Sequence, residues 1–345
     1  MIVPIFLTGL GCSKDPCIFC NQEVATATSS IFSIDAAKER VEETLSLYIN
    51  GNDNIAYPLE VAFYGASFTA LDFAQQKDIL KSLQTSFEKI TGRAHKDNLK
   101  IRISTRPDYI KKEELLDLKL RFNLNTVEIG VQSMVEEVLL MANRGHTRKD
   151  VKAAAKAIKD MGLELSCHQM MGLPGSTSAD EIQTAKDIIK LKPKYVRLHP
   201  TLVLKGTVLE KMFLSGAYKP LTLDEAIDIT EKIVRLYRQA GVLVIRIGVH
   251  PSELLTENIV AGPWHPAFRE LVEGRYLMNE ASNQLNGYRG RKVQITIAPQ
   301  DETYIRGEDN SNYKTLLESF DLADMVIVKD PKMQRGVITI NGLTN

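Results

Sequence analysis

GCSKDPCIFCNQ (Gly11–Gln22) holds three of the chain's four cysteines, Cys12, Cys17 and Cys20, in the spacing C-x4-C-x2-C. It follows closely on IVPIFL from Ile2, a short apolar run that reads as a strand. Thiolates spaced this way can wrap a metal centre. A structural zinc site wants four ligands, closed and tetrahedral, so zinc here would need Cys167 or a histidine from elsewhere. An iron–sulfur cubane normally takes one thiolate per iron, so three thiolates leave one iron with an open position. An open position suits a catalytic cluster and not a structural one. Cys17-Ile-Phe-Cys20 is also a C-x-x-C of the redox kind, but that reading leaves Cys12 unexplained and lacks the usual strand-to-helix placement.

Working outward, short β-branched runs alternate with amphipathic stretches. Strands are expected at IVPIFL, LEVAFYG (from Leu59), LKIRIST (from Leu99), TVEIGVQ (from Thr126), ELSCHQMM (from Glu164), YVRLHPTLV (from Tyr195) and VLVIRIGV (from Val242). Between them lie helical patterns. Val151, Ala154, Ala155, Ile158 and Met161 repeat at helical spacing before Gly162. A second helix begins at a Thr222/Glu225 capping box and runs through Ile229, Ile233 and Leu236 to Gly241. Six β/α units and a seventh strand predict an α/β fold, an open or partial (β/α)6 barrel with a parallel sheet.

The unusual residues gather just past strand ends, in GASFTA (Gly65–Ala70), STRPD (Ser104–Asp108), GVQS (Gly130–Ser133) and HQMMGLPGS (His168–Ser176). In a barrel of parallel strands those ends converge at one mouth, where sites are built.

Here the residues resemble a family. The three cysteines with Phe19 before the last resemble the cluster motif of radical S-adenosylmethionine (SAM) enzymes. Gly130-Val131-Gln132-Ser133, Arg144 and Gly145-His146, with Gly172-Leu173-Pro174-Gly175, resemble stretches shared by oxygen-independent coproporphyrinogen oxidases and the Elongator catalytic subunit. The resemblance covers roughly residues 2 to 250. It implies a [4Fe–4S] cluster held by Cys12, Cys17 and Cys20. It implies SAM against Phe19, Gly65, Ala66, Ser67, Gln132 and Arg144, cleaved by one electron to a 5′-deoxyadenosyl radical. It further implies a ferredoxin- or flavodoxin-type reductant and, by analogy, an RNA substrate, a base in tRNA. A small metabolite or a peptide is the second substrate reading. A non-catalytic, metal-bound RNA-binding or assembly protein is the non-enzyme alternative.

The chain departs from that pattern in places. One extra residue separates the first two cysteines. Ala66 replaces the second glycine of the usual pair, and its methyl group restricts φ. Ser104 stands where coproporphyrinogen oxidases carry a glutamate, and His168 where they carry an aspartate. Arg106 and His168 are candidates to reach the cofactor's carboxylate or ribose. Alternation along its strand points His168 inward and Cys167 toward the helices, as a packed thiol. His199 and Arg197 share one strand face. Trp264 and His265, in AGPWHPAF, read as a rigid turn, either a structural edge or a substrate-facing loop closing the mouth.

The barrel repeat ends near residue 250, which predicts domains of 1–250 and 251–345. The tail reads as strand, short helix, glycine loop, helix, strand, the minimal core of a KH-like RNA-binding unit. Its loop continues from Gly307 as Glu308, Asp309 and Asn310, and carboxylates there would repel a phosphate backbone. A degenerate KH-like unit, or a small α+β cap with no RNA role, is expected. After residue 250 about 95 residues remain, too few for the acetyltransferase domain of the Elongator subunit, so acetyl transfer is not expected.

Composition sets the outer bounds. Among 345 residues, Lys+Arg and Asp+Glu are both 43, which argues against a protein that coats nucleic acid by overall charge. With 44% hydrophobic and 25% charged residues, the chain reads as soluble and globular. No stretch reads as a signal peptide or membrane span, and four cysteines make no disulfide scaffold, so reduced thiols in a cytoplasm are expected.

Overall fold

A computed structural model describes residues 2–12, 17–31, 33–52 and 54–343. The extra residue of the first cysteine spacing falls among residues 13–16, outside the described residues. Packing divides the chain into two compact units: Met1–Thr222 with Leu236–Trp264, and Leu223–Arg235 with His265–Asn345.

The first unit is built on β1 (Ile2–Phe6), β2 (Leu59–Tyr64), β3 (Leu99–Thr105), β4 (Leu124–Gln132), β5 (Glu164–Met171), β6 (Tyr195–Pro200), a two-residue β7 (Val203–Leu204) and β8 (Leu243–Ile247). All strands of the main sheet pair in parallel, in the order β1-β2-β3-β4-β5-β6-β8. Every one of the seven expected strands is in this sheet. The crossover helices follow the sequence signals. Helix Arg148–Asp160 starts at Thr147, whose hydroxyl accepts from Asp150 N while the Asp150 carboxylate accepts from Thr147 N, a reciprocal cap. It buries Val151, Ala154, Ala155 and Ile158 against the sheet.

Strand alternation sorts the sheet's two faces. The outer face, toward the helices, is apolar: Val61, Ile101, Ile103, Val127, Ile129 and Val196 are fully buried there. Cys167 is on that face, as its parity predicts. The inner face is polar. Register sets Ser104, Glu128 and Ser166 side by side across β3, β4 and β5. It also aligns Gly130, His168 and Arg197 across β4, β5 and β6. A closed barrel fills this space with bulky branched side chains. A half-barrel leaves it open along one side, so the inner face can carry charge.

Residues 251–264 belong to the first unit, beyond the break expected at residue 250. β9 (Ile259–Ala261) pairs antiparallel with β7, and helix Glu253–Asn258 buries Leu255 in a cluster with Val24, Leu202 and Leu204.

The second unit takes in the first thirteen residues of the helix Leu223–Gln239 and the helix Phe268–Leu285. Its sheet has the order β11 (Asp324–Lys329), β10 (Lys292–Ile297), β12 (Ile338–Leu343). β10 is parallel to β11 and antiparallel to β12. Between β10 and β11 lie helices Glu302–Arg306 and Ser311–Ser319, which reproduces the expected β-α-α-β order. Val293, Ile295, Ile297, Ile305, Leu316 and Met325 make its core.

Candidate active site

Cys12 and residues 17–22 lie over the mouth of the half-barrel, held by backbone contacts. Ile18 N donates to Ala142 O, and Ile18 O accepts from Leu209 N at 2.8 Å. Ile18 packs with Val203, Leu209 and Tyr218, and Phe19 packs against that group and against Val138, Met170 and Leu173. Asn21 then caps the helix Gln22–Thr26, its Oδ1 accepting from Val24 N. Gln22 ties the segment to itself: Oε1 accepts from Gly9 N at 2.8 Å, and Nε2 donates to Cys12 Sγ at 2.9 Å. Gly11 has φ +67°, and a Cβ there would lie 2.3 Å from Ser67 O. Glycine is what lets the cysteine segment meet the loop after β2.

Below the cysteines is a cavity of about 300 Å³. All three cysteines of the motif line it, and so does each of Phe19, Gly65, Ala66, Ser67, Ser104, Arg106, Gln132, Arg144 and His168. The four strand-end segments expected at one mouth thus open onto one space with the thiols. Ala66 stays out of the left-handed region, so its methyl group imposes no backbone strain.

Arg144 is the link between thiols and sheet. Its Nη1 donates to Cys17 Sγ at 2.9 Å and its Nη2 to Gly130 O at 2.9 Å. Gly130 permits this, since a Cβ there would lie 3.0 Å from both Arg144 Nη2 and Gln132 Nε2. Gln132 sits at a register shift in β4 with φ +63°, a conformation costly for a residue with a side chain. The kink aims its amide across the cavity, where Nε2 lies 3.4 Å from His168 Nδ1. Arg106 lines the cavity but is occupied: Nε and Nη2 donate to the two oxygens of Asp108 at 3.0 and 2.7 Å.

Two groups on the floor carry more of the electrostatics than the sequence suggested. Glu128 is 1% exposed. Its Oε1 accepts from Arg197 Nη1 at 2.8 Å and from Ser104 Oγ at 3.5 Å, and its Oε2 from Ser166 Oγ at 3.1 Å. Burial alone would raise its pKa, but Arg197, His168 and Arg102 more than offset that, and it is held below the ordinary carboxylate value. Tyr64 lies under the Arg197 guanidinium, 4.7 Å from ring centroid to Cζ. Burial and Glu128 push its hydroxyl up to about 12. The inward parity that Glu128 shares with Gly130 and Gln132 in TVEIGVQ was the signal for it. His168 and His199 meet edge to face at 4.4 Å. Burial, then Arg197 acting against Glu128, pushes His168 down to about 3, and burial with His168 and Arg197 holds His199 well below its usual value.

Trp264 and His265 are placed otherwise than expected. Trp264 packs outside the Val24, Leu202, Leu204 and Leu255 cluster, and His265 Nδ1 accepts from Ala267 N. Trp264 does not line the cavity. Cys167 does not line it either, and burial pushes its thiol up, so it is not placed to complete a zinc site with the other three.

The donor set fits a thiolate-held cluster. Burial, followed by Cys17 and Cys12, pushes Cys20 up to about 12, so its ionised form calls for a cationic centre beside it. Arg144 Nε and Gln132 Oε1 are buried without a partner at the cavity wall, as groups awaiting a polar ligand would be.

Residues 6–188 match the radical SAM superfamily profile, and residues 193–277 match the Radical_SAM C-terminal domain. The chain is 29% identical over 300 residues to the tRNA uridine(34) acetyltransferase of Methanocaldococcus jannaschii, covering 73% of this chain and 54% of that protein. It is 32% identical over 198 residues to Elongator complex protein 3 of Homo sapiens, covering 56% of this chain and 35% of that one. It spans about half or less of the length of these curated relatives. In fold it is similar to the archaeal Elp3 of Methanocaldococcus infernus solved with residues 1–46 deleted. The TM-score is 0.63 at 23% identity, over 81% of this chain and 62% of the other. Coproporphyrinogen III oxidase of Escherichia coli follows with a TM-score of 0.50 at 19% identity, over 70% and 52%.

Proposed function

The chain belongs to the radical SAM superfamily, and we propose that it is an enzyme whose Cys12, Cys17 and Cys20 hold a [4Fe–4S] cluster with SAM beside it, acting on a base in tRNA. The observation that carries this is the shared cavity: three thiols and the ends of β2, β3, β4 and β5 line one space, with Arg144 bonded to Cys17 Sγ and to Gly130 O. When bound, the cluster and SAM supply a one-electron cleavage that yields a 5′-deoxyadenosyl radical. The chain's part is placement. Arg144 offsets thiolate charge and orients Cys17. Gly65, Ala66 and Ser67 offer a short-side-chain edge to the methionine end of SAM, and Gln132 offers its unpartnered Oε1 to the same ligand. Phe19, wedged between two apolar groups, fixes the last cysteine and keeps water from that side.

The tRNA substrate rests on the relatives' names and on the RNA-like order of elements in the tail, which is an argument by association. A ferredoxin- or flavodoxin-type reductant would supply the electron, in a reducing cytoplasm. Among the described residues no helix is long and apolar enough to cross a membrane.

The test is anaerobic. Reconstitution with iron and sulfide should yield about four irons per chain and an electron paramagnetic resonance signal that shifts on adding SAM, with 5′-deoxyadenosine released under reductant. Incubation with unmodified tRNA should raise that release. Bound zinc, or a cluster indifferent to SAM, would sink the proposal and favour a non-catalytic, metal-bound protein.

A further inference from the structure

We propose that the floor of the cavity, around His168 and His199, is a subsite for an uncharged, flat, hydrogen-bonding ring, the edge of a nucleobase, with the apolar side chains of Leu202, Leu204, Val249 and Leu255 as the wall it lies against. This rests on the reading of the chain as a radical SAM enzyme acting on RNA, and it names the residues that would read the base.

Two orphaned groups point to a ligand. Nε2 of His168 and Nε2 of His199 are both buried and without a hydrogen-bond partner, and both residues line the cavity. Buried polar atoms are almost always satisfied. The Gln132 amide lies 3.4 Å from Nδ1 of His168, which leaves the ring's other nitrogen, Nε2, with nothing in the protein to bond to. The rings meet edge to face from β5 and β6, so two unpartnered imidazole nitrogens lie together on the floor. That is a pattern for a ligand with several heteroatoms on one edge.

Charge decides the class. The arginines lining the cavity among the described residues are Arg106, Arg144 and Arg197. Each is already engaged: with Asp108, with Cys17 Sγ and Gly130 O, and with Glu128. A carboxylate or phosphate entering the floor would face Glu128, with Arg197 there already paired, while the unpartnered Arg144 Nε belongs to the guanidinium that holds Cys17 at the other end. The imidazoles offer no charge either, since burial and Arg197 keep both neutral. A neutral ring takes both imidazole nitrogens without needing a counter-ion, and its faces are apolar, as the Leu202–Leu255 wall requires.

The experiment uses the reconstituted full chain under anaerobic conditions with saturating SAM. Saturation-transfer NMR titrations are run with the four ribonucleosides, with succinate as an anionic probe and with a blocked dipeptide as a neutral amide. At least one nucleoside should bind, and succinate and the dipeptide should not. His199→Phe should weaken the nucleoside at least tenfold, His199→Asn should restore most of that loss, and Val249→Phe, filling the wall from a partly exposed position, should weaken it as well. SAM affinity, read by equilibrium dialysis, should stay within twofold in all three. Circular dichroism checks that each variant folds, and Val249→Phe keeps the test open if a His199 variant does not. Binding of succinate or the dipeptide in place of a nucleoside would overturn the proposal. Nucleoside binding untouched by the folded variants, or SAM retained with no nucleoside bound, would overturn it too and leave the radical SAM reading standing. A parallel loss of SAM in His199→Phe would assign His199 to the SAM site instead. Failure of the wild-type chain to retain SAM would sink the parent reading, and this one with it.

Discussion

Glu128 on β4 and Arg197 on β6 reach across the intervening β5 to form an ion pair of 2.8 Å on the floor of the half-barrel. The carboxylate is 1% exposed and its remaining oxygen is taken by Ser166. Glu128 lies on the polar inner face, flanked in register by Ser104 and Ser166. Removing Arg197 leaves the Glu128 charge buried without its direct partner and with only weaker support from Arg102. Arg197→Met should therefore cost about 3–5 kcal/mol in urea or guanidinium unfolding, whereas the double change Glu128→Gln with Arg197→Met should recover much of it. Equal losses in the single and double variants would mean that the pair is not coupled.

The four cysteines should separate cleanly by iron content. Cys12, Cys17 and Cys20 open onto the cavity, and Cys167 faces the helices on the outer side of β5. Alanine at any of the first three should reduce iron after reconstitution to a small fraction of the wild-type content. Cys167→Ala should leave iron unchanged and lower stability by about 1 kcal/mol, the ordinary cost of a small core truncation. Iron lost from Cys167→Ala would put that thiol in the metal site.

Gly11→Ala is a sharper probe than its size suggests. The new Cβ would sit 2.3 Å from Ser67 O, and φ is +67°. Backbone cannot yield there as a flexible side chain would, so the cysteine segment must lift from the loop after β2. Iron incorporation should fall and SAM retention with it, while far-UV circular dichroism stays near wild type. Normal iron and SAM content in Gly11→Ala would show that the two segments can part without consequence.

The seven strands were legible because each alternates or runs apolar over a few residues between clear breaks, and the parity of ELSCHQMM placed Cys167 and His168 on opposite faces. The cavity residues could be gathered from strand ends alone, since parallel strands bring those ends together. Glu128 escaped because it lies mid-strand, two residues before the glycine that drew attention. Its weight comes from Arg197, which is sixty-nine positions away. Arg106 looked available in STRPD, yet Asp108 two residues on already holds it. Trp264 and His265 looked like a lid because prolines stiffen AGPWHPAF. The burial of Leu255 with Val24, Leu202 and Leu204, which no local pattern announces, gave Trp264 something else to pack on.

The neutral histidines make an acid-sensitivity prediction whose window is set by their own shifts. His168 is pushed down to about 3 in the fold, against about 6.5 in an unfolded chain. Below 6.5 the unfolded chain binds a proton that the folded one refuses, so stability falls as pH drops from about 6.5 toward about 3, by up to about 1.4 kcal/mol per pH unit for each such imidazole. His199 acts with the same sign, as does His146, pushed down to about 4 by burial and Arg144. Glu128, held below its ordinary 4.5, loses its contribution only under that value, so from 6.5 down to 4.5 the three histidines act without it and against a single opposing group, Glu181, which burial raises to about 7. Urea midpoints measured across that window should decline steadily in the wild-type chain, and His168→Gln should flatten the slope by about one proton's worth. An unchanged slope in that variant would mean that His168 titrates normally in the fold, and that the floor of the cavity is wetter than its packing implies.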